Sequence, residues 1–336
     1  MNRPFGRGGT IVVLWCLITF LVAGCADQDA GDEERRDEVE RPSPAEGPAR
    51  CLDCDTDSDL VPVESPDWSV GDWWEWRIQG GGYDFRVTTV VAGSEAGSTL
   101  IGIADRPSDL LAPWFHVPPV GRVDPSTLGY EAHDLDMRLL AFPLWDGKEW
   151  TGAIEGDPVT FVANRTDPDG PFTIEGEYDS GGTAVRLGYD PDARMLNEIA
   201  LYYGGSSAWS EATLVAWGSD SEEPWVVPDL DDLFLGGAWL PRDPLETTTI
   251  AVADDVEHIL FGCETGGSIG AHHAVLQGPD GGRTICPGED AWTAAGRTTF
   301  VVAVPAQPGS WALSLTAAGD GYVSVEMAAM GFIPVV

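Results

Sequence analysis

The sequence predicts an all-β fold: an antiparallel β-domain built as a curved sheet or half-barrel, then a small β-sandwich, both behind a disordered acidic tether. Three observations carry this expectation. Apolar and polar residues alternate along many short runs, which gives each run one face for a core. Turn residues separate the runs, drawn from 41 glycines, 25 prolines and Asp-Pro-Asp segments. Helical periodicity is confined to residues 134–140, too short to anchor a helical domain.

The tether comes first. Residues 26–66 combine the charge run GDEERRDEVER with PSPAEGP and DTDSDL. So few apolar side chains cannot offset the entropy of ordering, and self-repulsion keeps such a segment extended. From Trp68 the composition changes. Trp74, Trp76 and Ile78 alternate with Glu75 and Arg77, Gly80-Gly81-Gly82 turns the chain, and Phe85, Val87, Thr89 and Val91 continue the pattern. This is a β-hairpin with one buried face. Runs in the same style follow at 98–104, 150–154, 159–163, 172–178, 184–189, 196–203 and 212–217. Asp167-Pro168-Asp169-Gly170 and Asp190-Pro191-Asp192 mark two of the turns.

Residues 219–246 read as a connector, opening with the acidic SDSEEP and closing on Pro241 and Pro244. Leu233-Phe234-Leu235 and Trp239 make it too apolar for free solvent, so it is expected to pack along a domain surface. The second domain, 247–336, has strand-like runs at 248–252, 258–262, 274–277, 298–304, 311–315 and 322–327. Their spacing of about 10 residues fits a sandwich.

Charge and cysteine content bound the chemistry. The chain has 55 acidic against 18 basic residues, a formal net charge of -37, and Lys148 is its single lysine. Self-repulsion at this charge opposes compaction in dilute buffer, whereas at 1 M salt the Debye length falls to about 3 Å. A salt-exposed setting, a halophilic adaptation, is the favoured explanation; a GC-rich genome would equally favour arginine over lysine. The same charge makes nucleic acid and anionic membrane surfaces poor partners, and no nucleic acid is expected. Weak divalent cation binding stays open. A hydrophobic content of 43% with 14 tryptophans supplies a substantial core, and the 336 residues leave length for two domains beyond the tether.

The first residues supply an address. Arg3 and Arg7 precede an uncharged apolar stretch at residues 10–22 (TIVVLWCLITFLV), which closes on Val22-Ala23-Gly24-Cys25. The whole resembles a lipoprotein signal peptide with its lipobox. The resemblance implies that residues 1–24 are removed and that Cys25 carries the lipid. The 25–66 tether would then hold residues 67–218 and the second domain away from the membrane, at the cell envelope outside the cytoplasm. The alternative, an uncleaved membrane helix, needs about 20 apolar residues, and Asp27 cuts the stretch short. A second resemblance is carried by Pro143-Leu144-Trp145-Asp146-Gly147-Lys148-Glu149-Trp150. This P-L-x-x-G-x-x-W pattern is similar to one in envelope lipoproteins of lipoprotein-carrier (LolA/LolB-like) architecture, which implies a curved sheet holding an apolar ligand. Pro308-Gly309-Ser310-Trp311-Ala312-Leu313 resembles the first residues of a strand in many small secreted β-sandwiches.

With Cys16 in the leader and Cys25 lipidated, four cysteines remain, in an oxidising compartment. Cys263 and Cys286 are expected to form a disulfide within the second domain, worth about 3 kcal/mol by chain entropy. Cys51 and Cys54 either close a local disulfide or let Cys54 pin the tether to a domain. Their C-x-x-C spacing lacks both the following helix of a redox pair and the two further ligands of a zinc site.

Other candidates each have a plainer explanation. Gly266-Gly267-Ser268-Ile269-Gly270 matches the nucleophile-elbow pattern, with His272 and His273 close behind, but the strand-to-helix setting it requires is missing. Asp55, Asp57 and Asp59 alternate as in a calcium loop, yet Leu60 and Pro66 stand where its glycine and glutamate belong. His116 and His133 are isolated. Trp68, Trp73 and Trp114 would suit a sugar-stacking platform, or simply a core. Asn164-Arg165-Thr166 is a glycosylation sequon at a turn. No cofactor, catalytic residue or metal site is expected. The leading expectation is a non-enzymatic, lipid-anchored surface protein that binds or presents a ligand. A carrier of lipid within the first domain comes next, then a glycan-binding or hydrolytic protein.

Overall fold

The computed structural model describes residues 62–335 apart from 81, 105, 107, 133–134, 155, 168, 203–207, 222–224, 240–246, 267–272, 289–290, 295–296 and 317–320. The strands are β1 Trp73–Gly80, β2 Tyr83–Glu95, β3 Ser98–Ala104, β4 Gly121–Asp124, β5 Gly129–Ala132, β6 Leu135–Met137, β7 Glu149–Ile154, β8 Asp157–Asn164, β9 Phe172–Tyr178, β10 Thr183–Asp190, β11 Met195–Leu201 and β12 Ser210–Gly218; β1–β3 and β7–β12 follow the alternating runs, whereas β4–β6 lie where no strand was expected. The stretch at 134–140 that offered a helical period supplies β6. Each strand lies antiparallel to its sequence neighbour. One step is a single bridge from Arg138, just after β6, to Ala153 in β7, with N···O distances of 2.9 and 3.2 Å.

The expected curved antiparallel sheet is present, and it closes. β12 pairs with β1 along the whole of β1. Closure leaves β1 no free edge, the arrangement that removes the aggregation hazard of an open sheet. Gly152 permits the narrowest step, because a Cβ there would collide with the Arg138 carbonyl and sit 2.7 Å from the Phe161 ring.

The ring is apolar inside and charged outside. Trp74, Trp76, Ile78, Ile101, Ile103, Phe161, Phe172 and Tyr189 are fully buried within it. Two interior indoles are satisfied: Trp76 Nε1 donates to Thr89 Oγ1 at 3.1 Å and Trp74 Nε1 to the Ala193 carbonyl at 2.9 Å. Outward positions carry Arg77, Asp84, Arg86, Glu175, Glu177, Arg186, Glu198 and Glu211, all exposed. Arg77 pairs with Asp84 and Arg86 with Glu75 across β1 and β2. A barrel facing lipid needs the opposite polarity, an apolar band outside. None of the described helices is long and apolar enough to cross a membrane.

Between β3 and β4 the chain leaves the sheet as a short 3-10 helix, Asp109–Phe115, which stoppers one end of the ring. Phe115 packs 5.7 Å from both Tyr83 and Phe85 and 5.9 Å from Trp209. Ser210 Oγ donates to the Phe115 carbonyl at 2.9 Å, and the Tyr130 hydroxyl to that of His116. Buried Asp109 is held by Arg106 at 2.7 Å and by Ser108 Oγ at 2.9 Å.

The remaining strands are β13 Trp225–Trp239, β14 Thr247–Val252, β15 His258–Gly266, β16 His273–Gln277, β17 Arg283–Cys286, β18 Trp292–Ala294, β19 Arg297–Pro305, β20 Gly309–Thr316 and β21 Tyr322–Ile333. They form two layers, ordered β13-β21-β15-β19-β18 and β14-β20-β16-β17. Ile259, Phe261, Leu276, Trp311, Leu313 and Val325 fill the space between them. The Cys263–Cys286 disulfide joins β15 to β17 across that core, with Cα atoms 6.1 Å apart, a normal span. The other face of the first layer packs on the stopper. Leu260, Val301 and Met330 belong to the ring's core cluster, and Gly262 has no room for a side chain against Trp114. Both faces of β15 are thus covered, which explains its unbroken apolar run Ile259-Leu260-Phe261.

Residues 219–246, read as a connector, contain β13. It pairs with β21 along most of its length, and Trp225 and Val226 also bond to Ala104 and Ile103 of β3, so it stitches ring to sandwich.

Candidate functional site

At the end of the ring opposite the stopper, residues 62–72 form a stem. Val63 exchanges backbone hydrogen bonds with Leu144 at 2.8 and 2.7 Å. Trp68 packs edge-on against Trp74 at 5.5 Å and donates through Nε1 to the Arg194 carbonyl at 2.8 Å. Arg194, in the left-handed region at φ 54°, donates to the Asp67 carbonyl and, at 2.9 Å, to Asp72. Buried Asp72 also accepts from the Ser69 amide at 2.9 Å. The end of the stretch read as tether, 62–66, is therefore already bound to the barrel.

The stem turns at Gly71, whose φ of 92° favours glycine. Ser221 N donates to the Gly71 carbonyl at 3.1 Å. Beside this turn lies an open cleft of about 150 Å³ whose walls include Val70, Val90, Val91, Trp225 and Val335. Among the described residues no charged side chain lines it; Glu222 and Glu223, between the lining residues Ser221 and Trp225, lie outside the described residues. Val70 is 73% exposed, Val335 45% and, on the neighbouring end of β12, Trp217 49%. Trp73 lies over Gly218, leaving 2.9 Å between its Nε1 and a Cβ built there.

Lys148 occupies the same end of the barrel. It is nearly buried, and its Nζ donates to the Ala141 carbonyl and, at 2.7 Å, to that of Pro143. The ammonium sits 4.4 Å from the centre of the Trp145 ring and 6.0 Å from that of Trp150. Burial lowers its pKa. Trp150 stacks on Phe161 at 5.4 Å, and its Nε1 is buried without an acceptor. The P-L-x-x-G-x-x-W pattern thus has a local structural reason. Leu144 receives the stem, Gly147 turns at φ 76° and donates to the Ala163 carbonyl at 2.8 Å, and Trp150 enters the interior.

The sequence candidates are dispersed. Trp114 is core, while Trp68 and Trp73 are half-buried on different contacts. His116 is buried, with its ring 6.1 Å from that of Trp209. Asn164 ends β8 and is exposed. Gly266 ends β15 and His273 opens β16, but Ser268 and His272 lie outside the described residues. So do residues 1–24, Cys25, Cys51, Cys54, Asp55, Asp57, Asp59 and His133. Among the described residues no group of three His, Cys, Asp or Glu is placed to hold a metal ion. Sequence reasoning missed the stem, the cleft and the Lys148 box; the only signal available was the solitary lysine inside the Trp-rich motif.

No family model matches the chain. No curated protein matches it either. Among solved structures, the crystal structure of MucB is similar at 13% identity, over 70% of this chain and 88% of that one, with a TM-score of 0.24. A likeness at that score carries no argument about architecture or activity.

Proposed function

We propose that this chain is a lipid-anchored protein of the cell envelope whose folded part is a non-enzymatic binding or structural module. The anchor rests on the Val22-Ala23-Gly24-Cys25 sequence. The module reading rests on one observation, the filled ring. Trp76, Ile78, Ile101, Phe161, Ile174 and Leu187 are 0% exposed, so no void large enough for water touches them. A carrier built on the LolA/LolB-like plan would keep that space for its ligand. A protein or glycan ligand would therefore be met on the outside, where carboxylates dominate. We also hold the excess charge to be an adaptation to salt, supported by its placement on outward strand positions.

The anchor is tested by fractionating cells that produce the full chain or its Cys25→Ala variant. The wild type is expected in the membrane fraction, with an N-terminal peptide heavier than its sequence by the mass of lipid. The variant is expected to leave that fraction. A variant that stays membrane-bound, or a wild type with no added mass, would overturn the reading.

A further inference from the structure

We infer that β14, Thr247–Val252, is a docking edge that pairs antiparallel with the same strand of a second copy of this chain. Such pairing is independent of the Cys25 anchor and would add self-assembly to the module. β14 is an outer strand of the four-stranded layer. Among the described residues only β20 pairs with it, in unbroken register from Thr247 opposite Ser314 to Val252 opposite Gly309. An outer strand presents a row of unpaired N–H and C=O groups, and folded proteins blunt it with proline, charge, a bulge or shortness. The other outer strands of the two layers carry such devices. β13 has Pro228 and exposed Asp229 and Asp231, β18 is three residues long, and β17 is four residues long, begins at exposed Arg283 and runs into Pro287. β14 has none of them. Its six residues, Thr-Thr-Thr-Ile-Ala-Val, are uncharged, mostly β-branched and without proline or glycine.

Charge and pattern select the occupant. The four strands of this layer contain no aspartate or glutamate, in a chain that has 55. A basic strand would find no carboxylate on these strands to hold it, and an acidic strand would meet the repulsion of a net charge of -37. The edge therefore suits a neutral, β-branched strand with one apolar face. β14 is itself such a strand: Ile250 and Val252 are buried, whereas Thr247, Thr249 and Ala251 are exposed. Pairing about a two-fold axis at Thr249 keeps the two faces aligned, with Thr247 opposite the partner's Ala251 and Thr248 opposite the partner's Ile250. Centring on Ile250 would instead set exposed Asp254 against the partner's Glu246 by sequence count, a like-charge pair, although Glu246 lies outside the described residues. Six paired residues make a smaller contact than the roughly 20 residues a side of a standard interface, so the pair is reversible and strengthens as salt screens the net charge.

The test uses the full-length chain, carrying Thr249→Cys, in the cells that make it. Opposed Cβ atoms of a cross-strand pair lie about 4.5–5.5 Å apart, near the span that a disulfide bridges. After mild oxidation the band on a non-reducing gel should shift to twice the monomer mass, with peptide mapping joining position 249 of one copy to position 249 of the other. Ile285→Cys, at a 53% exposed site on β17, the opposite outer strand of the same layer, should stay at the monomer mass. So should the wild type, whose native cysteines set the baseline. Urea melts at molar salt establish that each variant is folded. A folded Thr249→Cys chain that stays monomeric, that links to a different protein, or that links no more than Ile285→Cys would overturn the proposal. None of these outcomes depends on the Cys25 lipid, which the fractionation experiment reads.

Discussion

Lys148 shows how a single residue can hold a loop without an acidic partner. Its ammonium satisfies two carbonyls of the 141–143 segment and lies over Trp145, so it serves as a hydrogen-bonding pin. Lys148→Met keeps the aliphatic stem but leaves those carbonyls without a donor. A loss of about 1–3 kcal/mol in urea unfolding is expected at neutral pH. Burial lowers the folded-state pKa of Lys148 below its unfolded value. Between those two values the unfolded chain holds more protons on this group, so its contribution to stability rises with pH. Wild type should therefore gain stability relative to Lys148→Met as pH is raised from neutral toward the unfolded lysine value. Equal pH slopes for the two proteins would contradict the placement of Lys148. Tyr189 acts in the opposite sense at higher pH, because burial raises its pKa and ionisation then favours the unfolded chain. The sequence displayed the solitary lysine and the tryptophans, but their stacking depends on where the 141–147 loop folds back.

At the scale of elements, what could be read locally was read well. The β1–β2 hairpin, β8 and β9 follow their alternation, because each buries one face and exposes the other. Ring closure depends on β1 meeting β12, a pairing between the two ends of the first domain that no local pattern encodes. β13 was hidden for another reason. Pro228, Asp229 and Asp231 interrupt its alternation, as suits a strand bonded to β21 on one side. The 3-10 stopper carries Pro113 within it and is too short for a helical period to show. The single-bridge step between β6 and β7 gives a direct test at Gly152. Gly152→Ala forces a methyl group onto the Arg138 carbonyl and the Phe161 ring. Overpacking of this kind should cost roughly 1–3 kcal/mol, with faster amide exchange at Arg138 and Ala153 than elsewhere in β7 and β8. Unchanged stability and exchange would mean that the segment after β6 does not meet β7 there.

For the whole molecule, the structure is a filled barrel stoppered at one end by a helix and a sandwich, with a stem at the other. Its polarity, apolar inside and charged outside, suits a scaffold in water. The disulfide was legible because Cys263 and Cys286 were the pair left within one predicted domain, and it joins the two layers of the sandwich. The stem-end cleft was not legible, because Val70, Trp225 and Val335 come from three distant parts of the chain. The reading that separates a scaffold from a carrier is the filled interior, and native mass spectrometry tests it most directly. The protein would be the full-length Cys25→Ser chain, which keeps its leader, purified at molar salt from the cells that make it. The account predicts the bare polypeptide mass, unchanged by organic extraction. A stoichiometric extra mass that extraction removes would contradict it and make the barrel a vessel for an apolar ligand.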